Sequence, residues 1–222
     1  VGSEMCIRDR NRIMFLIQSV NFFKYLHLNY FCKAIKRCGK GKIIPYKNAV
    51  IDLEPGSRII LEDQDLQIGT NKLRGSQTET YLRLRAGATW NAREGCSISY
   101  GATLEILQNA VLTSGYFTMN SFSVIIVAEN ITLGHDVMIA RNVVVYDSDF
   151  HAIDKSHPAS SPVTIGDHVW IATNATVLKG VSIGNGAMIA ANTLITENVI
   201  DGAMVAGKQE CIVIKDNIHW RR

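Results

Sequence analysis

The sequence of 222 residues lacks several features that define common classes of protein. Its longest early apolar run, Ile13 to Ile17, is far shorter than the roughly 20 residues that a membrane-spanning helix needs. The five cysteines are scattered and include no CxxC pair, which argues against a disulfide framework and against structural zinc. Reduced thiols of this kind predict a cytoplasmic protein.

Two classes of function also lack support. No GxSxG motif is present, so a serine nucleophile at a strand-to-helix elbow is not indicated. The net charge is only +3 and no RNA- or DNA-binding motif occurs, so nucleic acid is not expected as a partner.

What the sequence does contain is a repeat of six residues. One aliphatic residue recurs at every sixth position, and a second series of small or apolar residues follows four positions later. The two series are Ile165, Ile171, Val177, Ile183, Ile189, Ile195 and Val169, Ala175, Val181, Ala187, Thr193, Val199. A helix has an apolar period near 3.6 and a strand a period of 2, so six indicates short strands joined by turns. We expect both series to point inward within their strands, in a parallel β-helix.

The repeat continues upstream and is interrupted once. Leu133, Ile139 and Val145 keep the same step, and Ile98, Leu104 and Ala110 suggest further coils. The phase breaks between Val145 and Ile165, where the polar sequence from Asp147 to His151 is found. A loop that leaves a rigid solenoid is a common position for functional residues.

The N-terminal part of the chain differs in composition from the repeats. Residues 11–51 contain basic side chains and no acidic ones, and Phe15, Phe22, Leu26 and Tyr30 fall on one face of a predicted helix. This helix could cover the open end of the solenoid core, as repeat proteins require, or could contact an anionic membrane peripherally.

These patterns predict four regions. Residues 1–10 are interpreted as a non-native segment, and residues 11–48 as an N-terminal helical cap. Residues 49–214 are expected to form the β-helix, and residues 215–222 a C-terminal tail.

Three stretches resemble the hexapeptide-repeat acyltransferases, and more narrowly the O-acetyltransferases of capsule and cell-surface polysaccharides. They are residues 139–151, 162–172 and 178–184. The resemblance implies an all-β, left-handed parallel β-helix, although the general rule for parallel crossovers would give a right-handed coil. It also implies a homotrimer with active sites between subunits, acetyl-CoA as donor, a saccharide hydroxyl as acceptor and no metal.

The resemblance also implies roles for individual residues of the interrupting loop. His151 matches the catalytic histidine, and an imidazole suits a general base because its pKa lies near neutrality. Asp147 or Asp149 could orient this ring, and the sequence does not decide between them. Asn142 and Tyr146 match positions near the acceptor, although Asn142 could equally be a turn residue of the coil.

A further set of residues is expected to contact the donor. These are Trp170, Thr173, Lys179, Ala191, Thr196 and Lys208. Trp170 could instead pack in a trimer interface, and the lysines could be ordinary surface residues.

One departure from the family pattern weakens the case for a donor site. Glu197 stands where the family usually has a lysine that faces the CoA phosphate. Because of this reversal of charge, a non-catalytic function is retained as an alternative. The protein would then be a trimeric β-helix scaffold or a glycan-binding protein. A zinc enzyme using His135, His151, His157 and His168 is a third, weaker alternative, because their spacing does not resemble the zinc-binding β-helices.

Overall fold

The computed structural model describes residues 20–151 and 158–207, and it shows a solenoid with three parallel sheets. Sheet I contains β1 (Ile35–Arg37), β4 (Arg58–Leu61), β7 (Thr89–Ala92), β10 (Val111–Ser114), β13 (Asn130–Leu133), β16 (Val163–Ile165) and β19 (Ser182–Ile183). Sheet II contains β2 (Ile43–Pro45), β5 (Leu66–Thr70), β8 (Cys96–Ser99), β11 (Phe117–Met119), β14 (Val137–Ile139), β17 (Trp170–Ile171), β20 (Met188–Ile189) and β22 (Met204–Val205). Sheet III contains β3 (Ala49–Leu53), β6 (Thr80–Leu84), β9 (Thr103–Ile106), β12 (Val124–Val127), β15 (Val144–Tyr146), β18 (Thr176–Val177) and β21 (Leu194–Ile195).

The chain visits the three sheets in turn, so each coil contributes one strand to each face of a triangular prism. We name the edges by the sheets that they join: the I–II corner, the II–III corner and the III–I corner. Each corner lies opposite one sheet, and the III–I corner lies opposite sheet II.

The six-residue series maps directly onto the three faces. Ile165 lies in sheet I, Ile171 in sheet II and Val177 in sheet III, and the next three members repeat this order. In the strand pairing, Ile165 stacks on Ile183 of the following coil. All six residues are buried, with exposures of 3% or less. The prediction of a parallel β-helix from this period is therefore confirmed.

The second series is buried as predicted, but its residues lie in the turns and not within the strands. Val169, Ala175 and Val181 are at most 1% exposed, yet each stands in the turn just before the next strand. The strands here are only two or three residues long, so a residue four positions on has already passed the corner. It points inward from the turn and fills the prism's corner.

Two features of the corners explain the small and polar residues between the strands. At the I–II corner, a Cβ on Gly134 would collide with Asp167 of the next coil, whose carboxylate accepts the backbone N–H of His135. At the II–III corner, Asn142, Asn174 and Asn192 have φ angles of 55°, 62° and 58°, a left-handed conformation that asparagine tolerates better than most residues.

The N-terminal end of the solenoid carries a short helix. An α-helical segment, α1 (Phe22–Leu26), continues into a π-helical turn (His27–Phe31). The strands of the coils begin at Ile35, before the predicted start at residue 49. The helix does cover the end of the core, but with Leu28 and Asn29. The predicted apolar face points the other way, since Phe22 and Tyr30 are each 62% exposed. Phe15 and the predicted terminal segments lie outside the described residues.

No helix in the described ranges is long and apolar enough to cross a bilayer.

Candidate active site

The loop that carries His151 leaves the solenoid at the III–I corner, directly after β15. Its two arms are paired at the base by an antiparallel bridge between Ser148 and Ser160. Asp149 N donates to Ala159 O at 2.8 Å, and Ser161 N donates to Asp147 O at 2.9 Å. The base of the loop is thus a short two-stranded ribbon that continues from the rigid coil. The described part of the loop ends at His151 and resumes at residue 158.

Asp147 anchors this loop to the preceding coil. Its carboxylate is fully buried and accepts three backbone N–H groups, from Ala128 at 2.6 Å, Glu129 at 2.8 Å and Asn130 at 2.7 Å. These three bonds engage both carboxylate oxygens. Among the described residues, none of the hydrogen bonds joins Asp147 to His151, so the geometry favours a structural role for Asp147 over the predicted orienting role.

Asp149 also has a different partner from the one expected. Lys179 Nζ lies 2.5 Å from Asp149 Oδ2 and 2.6 Å from the carbonyl oxygen of Pro158. One ammonium group therefore holds the outgoing and the returning arm of the loop. Lys179 was predicted to meet a CoA phosphate, but here its side chain is 22% exposed and committed to the loop.

The backbone before His151 adopts an uncommon conformation. Phe150 has a φ of 62°, which is rare for an aromatic residue. Ser148 Oγ stabilises it by accepting the Phe150 N–H at 2.9 Å. The Phe150 ring packs edge-on against Tyr146, with ring centroids 5.4 Å apart. This tight turn directs the following residue, His151, away from the coil, and His151 is exposed. No role was predicted for Ser148 or Phe150, although both lie inside the stretch that resembles the family.

The predicted donor residues are divided between two sides of the prism. Trp170 points outward from sheet II and is 43% exposed, between Met138 and Met188 on the neighbouring strands. Thr173 and Ala191 are exposed at the II–III corner, next to the left-handed asparagines.

The remaining residues that were predicted to contact the donor lie near the His151 loop. Thr196 and Glu197 are exposed at the III–I corner. Val177 pairs with Ile195, so the segments that follow, with Lys179 on one coil and Thr196 and Glu197 on the next, lie at the same corner. Lys208 lies outside the described residues.

Asn142 occupies a turn of the II–III corner, not the III–I corner. Its backbone N–H donates to Ser121 O at 3.3 Å, and its φ of 55° matches those of Asn174 and Asn192. This position agrees with the alternative that Asn142 is a turn residue, and it separates Asn142 from His151 by the width of sheet III. Tyr146, in contrast, lies beside the loop on the outer face of sheet III.

Two other histidines occupy the I–II corner. His135 Nδ1 lies 2.6 Å from Glu94, and His168 Nδ1 lies 2.7 Å from Asp136. The hydrogen bond to Glu94 and its negative charge raise the pKa of His135. Because this corner is not the one that carries His151, these three histidines do not converge on one site. Within the described ranges no three His, Cys, Asp or Glu side chains form a group that could hold a metal ion.

The chain matches known proteins in the repeat region and beyond. Residues 162–197 match the family model described as "Bacterial transferase hexapeptide (six repeats)". The chain is 29% identical over 148 residues to WbbJ of Escherichia coli K12, whose name describes an O-acetyl transferase of lipopolysaccharide biosynthesis. That match covers 60% of this chain and 76% of WbbJ.

One further relative by sequence and one solved structure are also similar to this chain. A 2,3,4,5-tetrahydropyridine-2,6-dicarboxylate N-acetyltransferase of Staphylococcus aureus strain Newman is 50% identical over 58 residues. This match covers 26% of the chain and only 24% of that relative. The crystal structure of the polysialic acid O-acetyltransferase OatWY superposes with a TM-score of 0.53 at 23% identity, over 85% of this chain and 91% of that one.

These matches agree on the kind of protein that the chain resembles. The left-handed β-helix is confirmed as the fold, and the relatives by sequence are named acetyltransferases. The repeats of residues 162–197 match those of the bacterial hexapeptide transferases, and these relatives are consistent with an acyltransferase enzyme.

Proposed function

We propose that this protein transfers an acetyl group directly from acetyl-CoA to a hydroxyl of a saccharide, free or linked to a nucleotide or lipid, with His151 as the general base. The observation that carries the proposal is the His151 loop itself. An exposed imidazole follows a backbone turn fixed by Ser148, Asp147 and Lys179, in an otherwise regular coil. The names of WbbJ and OatWY support an oxygen acceptor.

The chemistry needs one proton carrier and no enzyme-bound intermediate. His151 removes the proton of the attacking hydroxyl as its oxygen bonds to the thioester carbonyl carbon. The C–S bond then breaks, and the CoA thiolate leaves and receives the proton from the imidazolium. A thiolate is a good enough leaving group for this direct transfer, so no serine or cysteine nucleophile is required.

The geometry of the prism supports a site that is shared between subunits. His151 lies on the III–I corner and Trp170 on sheet II, which is opposite to it. The two side chains therefore cannot face the same ligand within one chain. If both take part, Trp170 comes from a neighbouring copy, as in the homotrimer that the family resemblance implies. We propose that the sheet II face of one copy meets the III–I corner of the next.

Lys179 provides a prediction that separates loop anchoring from donor binding. In Lys179→Met, Asp149 and Pro158 lose their common partner, so we expect kcat to fall about tenfold or more because a misplaced catalytic group is costly. The dissociation constant for acetyl-CoA should stay unchanged, as measured by calorimetry. Lys47→Met, at an exposed position of another corner, is the control. A weaker affinity with an unchanged kcat would instead support the phosphate contact.

The proposed donor can be tested before the acceptor is known. Titration of the protein with acetyl-CoA in a calorimeter should show saturable binding in the range of roughly 1 μM to 1 mM. Thiol release should then rise when the correct saccharide of a panel is added. Binding of the donor without turnover on any saccharide or amine would contradict the acceptor class.

The scaffold alternative rests on the charges at the III–I corner. Glu197 is exposed there, and Lys179 is neutralised by Asp149. A CoA phosphate at this corner would meet a carboxylate and no free lysine from the described part of the chain. If no heat is detected at millimolar acetyl-CoA while saccharides still bind, the scaffold replaces the enzyme as the best account.

A further inference from the structure

The N-terminal helix exposes four aromatic side chains to solvent. Phe22, Phe23, Tyr30 and Phe31 are 62%, 83%, 62% and 73% exposed. We call these residues the aromatic face. We propose that the aromatic face, with the lysines around it, docks the solenoid onto an anionic lipid bilayer. This function goes beyond acetyl transfer and does not depend on it.

The opposite side of the helix is firmly attached to the first coil. Leu28 and Asn29 are buried, at 4% and 2% exposure. Asn29 donates to Ile43 O at 2.7 Å, accepts from Ile43 N at 3.0 Å and accepts from Arg37 at 2.6 Å. Asn21 caps the first turn by accepting the Lys24 N–H at 3.1 Å. Because the inner side of the helix already packs and hydrogen-bonds against the first coil, the residues of the aromatic face are not needed to cover the core.

The spacing places the four rings together. Phe22 and Tyr30 are eight residues apart, as are Phe23 and Phe31, which is about two turns of a helix that widens from α to π geometry. The rings of Phe22 and Phe23 are in contact, with centroids 6.1 Å apart. Four exposed aromatic rings on one face form a larger apolar patch than a single exposed residue, and such patches mark interaction sites.

The charge around the patch favours an anionic partner. Residues 20–51 contain seven basic side chains and no acidic one. Lys33, Lys36 and Lys40 are exposed, and Lys42 Nζ lies 5.4 Å from the centroid of the Tyr30 ring. The carboxylates of Asp63 and Asp65 accept the backbone N–H groups of Lys40 and Lys42.

A bilayer fits these features better than a second copy of the chain. Two copies joined through this face would bring two clusters of lysines together, and like charges oppose association. Aromatic rings flanked by basic residues are typical of helices that lie in the interface of an anionic membrane. The catalytic loop is four coils further along the solenoid. At about 4.8 Å per coil, it lies roughly 20 Å from the cap.

Phe23→Trp in the full chain tests the proposal, with the three native tryptophans subtracted as background. Vesicles of phosphatidylcholine with phosphatidylglycerol should shift its emission to the blue, and brominated lipid should quench it. Vesicles of phosphatidylcholine alone should do so weakly, and high salt should reverse the shift. Leu194→Trp is the matched control, since Leu194 is 59% exposed on β21, six coils further along the solenoid than the coil that the helix covers.

Sedimentation with vesicles supplies the second measurement. The double variant Phe22→Ser, Phe23→Ser should bind anionic vesicles about tenfold more weakly or worse, because it lacks the two rings that the bilayer would bury. Undiminished binding in this variant, or no vesicle binding by the wild type, would refute the proposal. A blue-shifted Phe23→Trp signal without lipid would also refute it, because residues 1–19 or a second copy would then cover the face. The same vesicle-binding assays on His151→Ala show whether membrane binding is independent of the proposed catalytic role of His151.

Discussion

His151→Ala should reduce kcat for acetyl transfer by about 10²- to 10⁴-fold, the usual contribution of a general base. The ring is exposed and lies on a loop, so its removal leaves no cavity in the core. We therefore expect the same melting temperature and the same dissociation constant for acetyl-CoA as in the wild type. Thiol release measured with the best acceptor of the saccharide panel gives the rate.

His135→Ala is the control for this variant. His135 is also exposed and also contacts a carboxylate, Glu94, but it lies on the I–II corner. Its replacement should leave kcat within a factor of about two, since it touches no part of the proposed site. Equal losses in the two variants would mean that the effect is not catalytic. Full activity of His151→Ala would show that another group removes the proton.

Asp147→Ala should have the largest effect on stability. The substitution removes a buried carboxylate that accepts three backbone N–H groups. Leaving such donors unsatisfied should lower the free energy of unfolding by about 3 kcal/mol. For a domain of this size, that corresponds to a fall in melting temperature of roughly 6–12 °C. Thermal unfolding followed by circular dichroism measures both quantities.

Asp149→Ala, two residues further on, provides the comparison. Asp149 is 40% exposed and its main contact is the ion pair with Lys179. Exposed ion pairs contribute only about 0–1 kcal/mol, so this variant should unfold close to the wild-type temperature. If both variants shift the transition equally, the three hydrogen bonds of Asp147 do not anchor the loop as we describe.

The fold was largely predictable because its period is a direct consequence of its geometry. A coil with three short strands must return an inward residue to each face, and the series from Ile165 to Ile195 does so without a gap. Handedness was not available from this argument. The general rule for parallel crossovers gives the opposite hand, and the left-handed coil came from the family resemblance alone.

The position of the His151 loop was predictable, but its internal contacts were not. A break in phase shows where the chain leaves the coil. It does not show that the Asp147 carboxylate binds N–H groups of residues 128–130 on the preceding coil. Likewise, Lys179 meets Asp149 only because the next coil brings it to the same corner. Contacts between coils depend on register, which a pattern of residue types does not specify.

The N-terminal helix covers the end of the core with a different side from the one that the cap alternative implied. An apolar stripe normally faces the core, so Phe22 and Tyr30 were expected to cover it. The structure instead uses Leu28 and the side chain of Asn29, which satisfies polar groups at the open end of the coil. A pattern of apolar residues does not reveal a single polar residue whose side chain pairs with backbone groups at the end of a coil.

The most direct test of the account is activity in mixed assemblies of two inactive variants. His151→Ala and Trp170→Ala should each be severely impaired alone. When they are co-assembled at equal ratio, sites that take His151 from one copy and Trp170 from the next should recover about a quarter of the wild-type activity per site, as random mixing in a ring predicts. Activity that stays at the level of the separate variants would contradict the shared site.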